Sequence, residues 1–532
     1  MNIKKTTIAI ALVCGLYSHA QSGFNNPMTQ AIMNVYQQHL VEDPTDYDTY
    51  YRRANEYYKY NQYSKALSDI NNALKYTPSE NVDMRVQSLI LRANIYILTG
   101  KKDFALVDLT EAIALSPTDY SAIYQRANLE YDAGKYQEAK ADFQRMQRLN
   151  NRSVEALIGL ARVAVKENNI GLANEYIDQA VALAPTQSEV YVRRASVRQL
   201  MGNDNGAVED LIIAISTDNN NTKALQQLVT MSDTKYTAVI TGLSDAIRQA
   251  PNVGMFYYIR AVIAEKHFNY LAALTDYKHI VDYNLYNYTG LYNSIAKCYY
   301  ALGYYEEALS SIDYAIASTT DNGNFYVTKA SIERARGHIQ NAYDNIVKAT
   351  SMLPNQSDAM IEKALILVDL GMYDEATALV GEAMLNDAEN NYYTILRAWI
   401  LSEKMKQQGN ATNFYNRVID NCIDTNNVKS FVGFAYLALE EKEKAIQWME
   451  NVLATNTDYN GSLNYYATCF YAQTGDFDKA LSCMDKALNR GYANYFDWTK
   501  NNDTNINISP LRNDPRFNEL LTKYMIMFTI SN

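Results

Sequence analysis

The chain has 532 residues, 48% of them hydrophobic, and 48 bases against 59 acids give a net charge of −11. That apolar fraction is ample for a buried core. With no basic stripe to offset the acidity, nucleic acid and anionic membrane surfaces are poor partners.

Residues 1–20 read as a cleavable signal peptide. Lys4 and Lys5 form a positive start, a mostly apolar stretch follows from residue 6 to 17, and Ser18-His19-Ala20 places a small residue before a cut at Gln21. About twelve apolar residues are too few to span a bilayer. Lipidation at Cys14 is a second reading, weakened by the bulky Val13 before it, and a retained N-terminal anchor is a third. On the first reading the protein is exported, periplasmic or associated with the cell envelope. The mature chain then carries 46 bases and 59 acids, a charge of −13. Cys14 leaves with the signal, and Cys298, Cys422, Cys469 and Cys483 remain. They form no CxxC and no Cys/His cluster, so disulfides are not what holds the fold together. Cys469 and Cys483 fall on the two helices of one predicted pair, either bridged or simply buried as thiols.

Residues 21–46 predict one N-terminal capping helix, over 27–41, closed by Pro44. From Tyr47 onward a single unit repeats, seen most clearly at residues 86–119, VQSLILRANIYILTGKKDFALVDLTEAIALSPTD. Apolar residues fall at helical spacing, a Gly-Lys turn interrupts them, and a second helical run stops at Pro117. Counting Val86 as position one, small residues occupy positions eight, twenty and twenty-seven, which lets two antiparallel helices approach closely. Position eight recurs as Ala54, Ala93, Ala127, Ala161, Ala195, Ala261, Ala296, Ala330, Ala364 and Ala398, with gaps of 39, 34, 34, 34, 66, 35, 34, 34 and 34. The first gap predicts an insertion near residues 80–85. The 66-residue gap predicts a degenerate unit at 220–253, and 391–425 needs a shift near Gly409-Asn410-Ala411. Gly100, Gly134, Gly202, Gly303, Gly337, Gly371 and Gly475 mark the turn within a pair.

A 34-residue helix–turn–helix with this small-residue pattern and a proline at position thirty-two resembles the tetratricopeptide repeat, here of an exported bacterial type. The resemblance covers residues 47–494 and implies an all-α, right-handed α-solenoid superhelix of about 13 such repeats, with N- and C-terminal capping helices. Residues 495–532 are expected to be a linker and a capping helix, because 508–521 is similar to the terminal segment often found behind such arrays. Stability should then be a sum of terms between neighbouring repeats.

Arg53, Arg92, Arg126, Arg194 and Arg260 share position seven, and Asp69, Asp108, Asp142, Asp210 and Asp276 share position twenty-three of the same five units. These predict half-exposed ion pairs between the helices of each unit, each worth about 0.5–1 kcal/mol. Arg397 lacks its aspartate.

In this architecture the first helices line the concave face. Position nine there is Asn55, Asn94 and Asn128, with Tyr51, Tyr58, Lys59 and Tyr124 nearby. An amide both donates and accepts, so the ladder suits the main chain of an extended peptide. An equally open reading is that the asparagines are inherited with the repeat and face water. Further along, Tyr258, Val262, Leu365, Trp399 and Phe434 make the inward positions apolar, to hold a partner's helix or to be filled by the coil of the chain itself. Histidines are scattered, no glycine loop cradles phosphate, and no metal or cofactor site is suggested. The expectation is a non-enzymatic scaffold or adaptor for a protein or extended peptide, with no integral membrane span. The alternative is an exported helical-repeat protein that binds glycans, although relatives of that kind carry a lipidated cysteine and long loops.

Overall fold

The computed structural model describes residues 27–286, 288, 290–319, 321–388, 390–422, 427–501, 504 and 506–525, and among them every regular element is helical. The signal peptide and its cut after Ala20 lie outside these residues. The chain divides into two compact units, one up to Gly242 and one from Leu243.

The N-terminal unit opens with a helix at Pro27–Glu42. Helix pairs follow, beginning with Tyr47–Lys59 and Tyr63–Tyr76, then Val82–Leu98 and Lys102–Leu115. The punctuation is local. Asp46, Asp119 and Ser153 each accept a hydrogen bond from the backbone N–H three residues on, capping the first helix of a pair just after the proline or turn that ended the previous one. The alanines at positions eight and twenty, Ala93 and Ala105 for example, are fully buried at the contact line. The insertion at 80–85 becomes an extra turn: Val82–Leu98 has 17 residues where most first helices have 13.

The degenerate stretch is one helical run, Thr222–Gln249, broken only by non-helical angles at Lys235. It holds no left-handed residue, and two helical segments meet at this kink.

In the C-terminal unit the pairs run from Gly254–Lys266 and Tyr270–Asp282 to Ser462–Thr474 and Phe477–Asn489. The shift expected near residue 409 has a cause. Asn391–Trp399 runs on into a π-helical turn at Ile400–Lys404, which adds one residue. Thus the buried alanine that follows Ala398 is Ala411, thirteen residues on instead of twelve. The closing helix Pro515–Met525 lays Phe517, Leu521 and Tyr524 on this unit's core. Cys298, Cys469 and Cys483 are buried and, with Cys422, are free thiols, so Cys469 and Cys483 are not bridged.

All five arginine–aspartate pairs form, but they are not half-exposed. Arg92 donates from Nε and Nη2 to both oxygens of Asp108, at 2.8 and 2.7 Å, and the aspartate side chain is only 4% exposed. The other four aspartates are equally enclosed. The third arginine nitrogen reaches the preceding helix: Arg53 to Gln37, Arg92 to Asn71 and Arg260 to Ser244. Each of these arginines ties together three helices. At Arg397 the one-residue shift puts Phe414 where the aspartate would stand, and the guanidinium lies 4.9 Å from its ring centre with Nε buried and unbonded. Burial pushes the pKa of Arg397 down.

Candidate functional site

In the N-terminal unit the first helices of successive pairs stack side by side, so one residue per pair from each helical position lies along a common face. Asn55, Asn94 and Asn128 occupy one such row, but they are not equivalent. The Asn55 and Asn94 amides are half-buried and make no side-chain hydrogen bond among the described residues. Asn128 is committed: its Nδ2 donates to the Tyr124 carbonyl at 2.8 Å, and its Oδ1 accepts from Arg162 Nη1 at 2.8 Å. The three-rung ladder therefore has two open rungs and one closed.

Arg162 closes it because it stands at position nine of the next pair. Its guanidinium sits 4.0 Å from the centre of the Tyr131 ring and 3.6 Å from Asp132. Arg193 reaches two pairs back, donating to the Tyr124 hydroxyl at 3.3 Å, and lies 3.5 Å from Glu189. Neither arginine was among the residues picked out as binding candidates. The signal was there in Arg162, which shares the asparagines' position.

Tyr51 and Tyr58 are half-buried against the core that includes Ala54 and Leu91, and burial raises both phenol pKa values. Lys59 is exposed and paired with Glu56 at 2.6 Å. The open stretch thus offers two free amides, Asn55 lying one helical turn from Tyr51 and Tyr58, with Lys59, Arg162 and Arg193 held by local acids. Such a surface can exchange hydrogen bonds with a main chain and stack against its side chains, and it presents no nucleophile beside a base.

The corresponding first-helix positions of the C-terminal unit are different. Tyr258, Val262, Leu365, Trp399 and Phe434 are all buried. Tyr258 packs among Tyr277, Tyr286 and Tyr288, and Phe434 between Phe431 and Phe470. These apolar positions are filled by the chain itself. A cavity of about 770 Å³ remains beside Trp399, lined by Ser402, Glu403, Tyr415, Gln473 and Asn507 among others.

A model of the tetratricopeptide repeat family matches residues 130–200. Among curated proteins, the chain is similar to cellulose synthase operon protein C of Pseudomonas fluorescens, 28% identical over 31% of this chain and 13% of that one. It is also similar to DnaJ homolog subfamily C member 3 of Gallus gallus, 26% identical over 26% of this chain and 30% of that one. The match therefore spans less than a third of either relative's length. Similar solved structures include yeast Tom70, 15% identical over 77% of this chain and 96% of that one, with a TM-score of 0.34. Another is a tetratricopeptide repeat protein from Parabacteroides merdae, 15% identical over 60% and 98%, with a TM-score of 0.29. Among the described residues no helix is long and apolar enough to cross a membrane.

Proposed function

Because this chain is a tetratricopeptide-repeat protein, we propose that it is a non-catalytic scaffold that binds an extended segment of a partner protein along the first helices of its N-terminal unit. Repeats of this kind serve protein–protein interaction. One observation carries the choice of place. Asn55 and Asn94 keep both donors and acceptors unspent on a face where Asn128, Tyr124, Arg162 and Arg193 are already bonded to one another. Half-buried amides beside tyrosine rings favour a ligand that brings its own paired N–H and C=O groups, as an extended backbone does. Tyr51, Tyr58 and Lys59 border this stretch and would meet the ligand's side chains. Tyr124 and Asn128 would act as the fixed end of the site. The cell envelope is the proposed setting, supported by the basic, apolar and small-residue order of residues 1–20 and by the acidic remainder.

Affinity capture from an envelope extract with residues 21–532 tests this. Mass spectrometry compares the parent with an Asn55→Ala/Asn94→Ala variant whose circular dichroism is unchanged. A partner captured by the parent and lost with the variant is the expected result. Equal capture by both overturns the amide site, and capture of no protein, followed by signal on a glycan array, overturns the function.

A further inference from the structure

The turn inside most helix pairs places one residue in the left-handed region, and the chain supplies it with Gly100, Gly134, Gly202, Gly303, Gly337, Gly371 and Gly475, or with Asn61 and Asn168. Phe268, Lys406 and Glu440 hold the same conformation, at φ 61°, 58° and 64°. A bulky aromatic residue there is strained, and such strain persists only where the surroundings impose it. At Phe268 the surroundings come from the far end of the same unit. Its ring centroid is 4.6 Å from that of Tyr492, and its carbonyl accepts a hydrogen bond from Ala493 N at 3.4 Å.

The next two turns are engaged in order. A Cβ on Gly303 would lie 2.5 Å from the Tyr495 ring, whereas one on Gly337, Gly371 or Gly475 would meet nothing within 4 Å. Tyr300, at the end of that first helix, is 5.6 Å from Phe496, ring to ring. One pair on, Lys500 Nζ donates to the Ala335 carbonyl at 2.7 Å and sits 4.9 Å from the Tyr305 ring centre. The segment that makes these contacts is braced from within: Tyr492 donates to Asp497 at 2.6 Å and Trp498 Nε1 to the Tyr492 carbonyl at 3.1 Å. Its other side is stacked on Tyr465 at 4.6 Å.

We propose that residues 492–500 are a strap, an intramolecular ligand that occupies the turn edge of the first three helix pairs of the C-terminal unit and closes that unit on itself. The edge takes an aromatic ring, a second aromatic four residues later and a lysine four further on, through Phe268, Tyr300 with Gly303, and Ala335 with Tyr305. It is a peptide site already filled by the chain's own segment.

Hydrogen exchange on the full chain tests the strap, because two of its contacts can be altered without touching it. Phe268→Gly removes the ring that packs on Tyr492 and relieves backbone strain, so misfolding of the turn does not confuse the result. Gly303→Ala pushes a methyl group into Tyr495. Glu440→Gly and Gly371→Ala make the same backbone changes where no strap lies. The expected result is exchange at least tenfold faster in peptides covering 490–501 for both strap-site variants, with both controls at the parent's rate. Unchanged exchange in Phe268→Gly and Gly303→Ala, or equal acceleration in the controls, overturns the proposal.

Discussion

Removing Arg92 should cost far more than a surface ion pair would. In Arg92→Met the Asp108 carboxylate, 4% exposed, loses both of its short hydrogen bonds, and Asn71 loses its donor as well. For a pair exposed to water the loss would be about 0.5–1 kcal/mol. An uncompensated buried carboxylate instead costs about 3–5 kcal/mol. The guanidinium, 22% exposed, keeps some contact with solvent, which places the expected loss near the lower end, about 3 kcal/mol. That is about two powers of ten in the equilibrium for opening the pair. Native-state hydrogen exchange over Val82–Leu98 and Lys102–Leu115 reads this locally, where a single melting curve for a repeat array would not. The double variant Arg92→Met/Asp108→Leu should recover most of the loss, since no charge is left buried. A single variant that costs less than about 1 kcal/mol, or a double variant no better than the single, would refute the reasoning.

Arg397→Met should be neutral or slightly stabilising by the same exchange measurement, because Arg397 has no aspartate and its Nε is buried without a bond. A loss as large as that of Arg92→Met would contradict it. Glu130 gives a pH signature. Burial, reinforced by the nearby Asp142, raises its pKa to about 7, with Arg126 and Lys135 opposing and Glu138 adding to the shift. The folded state therefore holds a proton that the unfolded state releases from about pH 4.5 upward, so this residue's contribution to stability falls as pH rises towards 7. Glu130→Gln should stabilise at pH 8 relative to the parent and much less at pH 5, read by hydrogen exchange over Tyr120–Asp132 with intrinsic rates corrected for pH; a difference independent of pH would refute it. Ala127→Leu should overpack a fully buried contact line and cost about 1–3 kcal/mol. Unchanged hydrogen exchange over Tyr120–Asp132 and Tyr136–Leu149 would show that the helices do not meet at Ala127.

The helix pairs were legible in the sequence because their determinants are local and repeated. A buried small residue at two fixed positions, a cap after a proline and a left-handed residue at the turn each act within about thirty-four residues. The π-turn at 400–404 was legible only as a shift in register, since no side chain there announces it. The arginine–aspartate pairing was readable from matched positions, but the depth of the aspartates depends on how the helices pack, which composition does not reveal. Asn128 shows the same limit: its partner Arg162 occupies the same position of the next pair, and whether they meet depends on how the pairs stack. The strap was the least legible. Phe268, in a turn that most pairs give to glycine or asparagine, marks one end of it, but its partner Tyr492 lies at the other end of the unit. If the strap holds, stability in the C-terminal unit includes a term between its first and last pairs besides those between neighbouring repeats.

The most direct test of the binding face is residue-level crosslinking. A photoreactive phenylalanine analogue is placed at Tyr51, beside the open amides, or at Val262, in the filled row, and the chain is irradiated in the envelope extract. Crosslinks from position 51 to an extended segment of one partner, with none from position 262, are the predicted result. Crosslinks from 262 and none from 51 would place binding elsewhere and contradict the assignment.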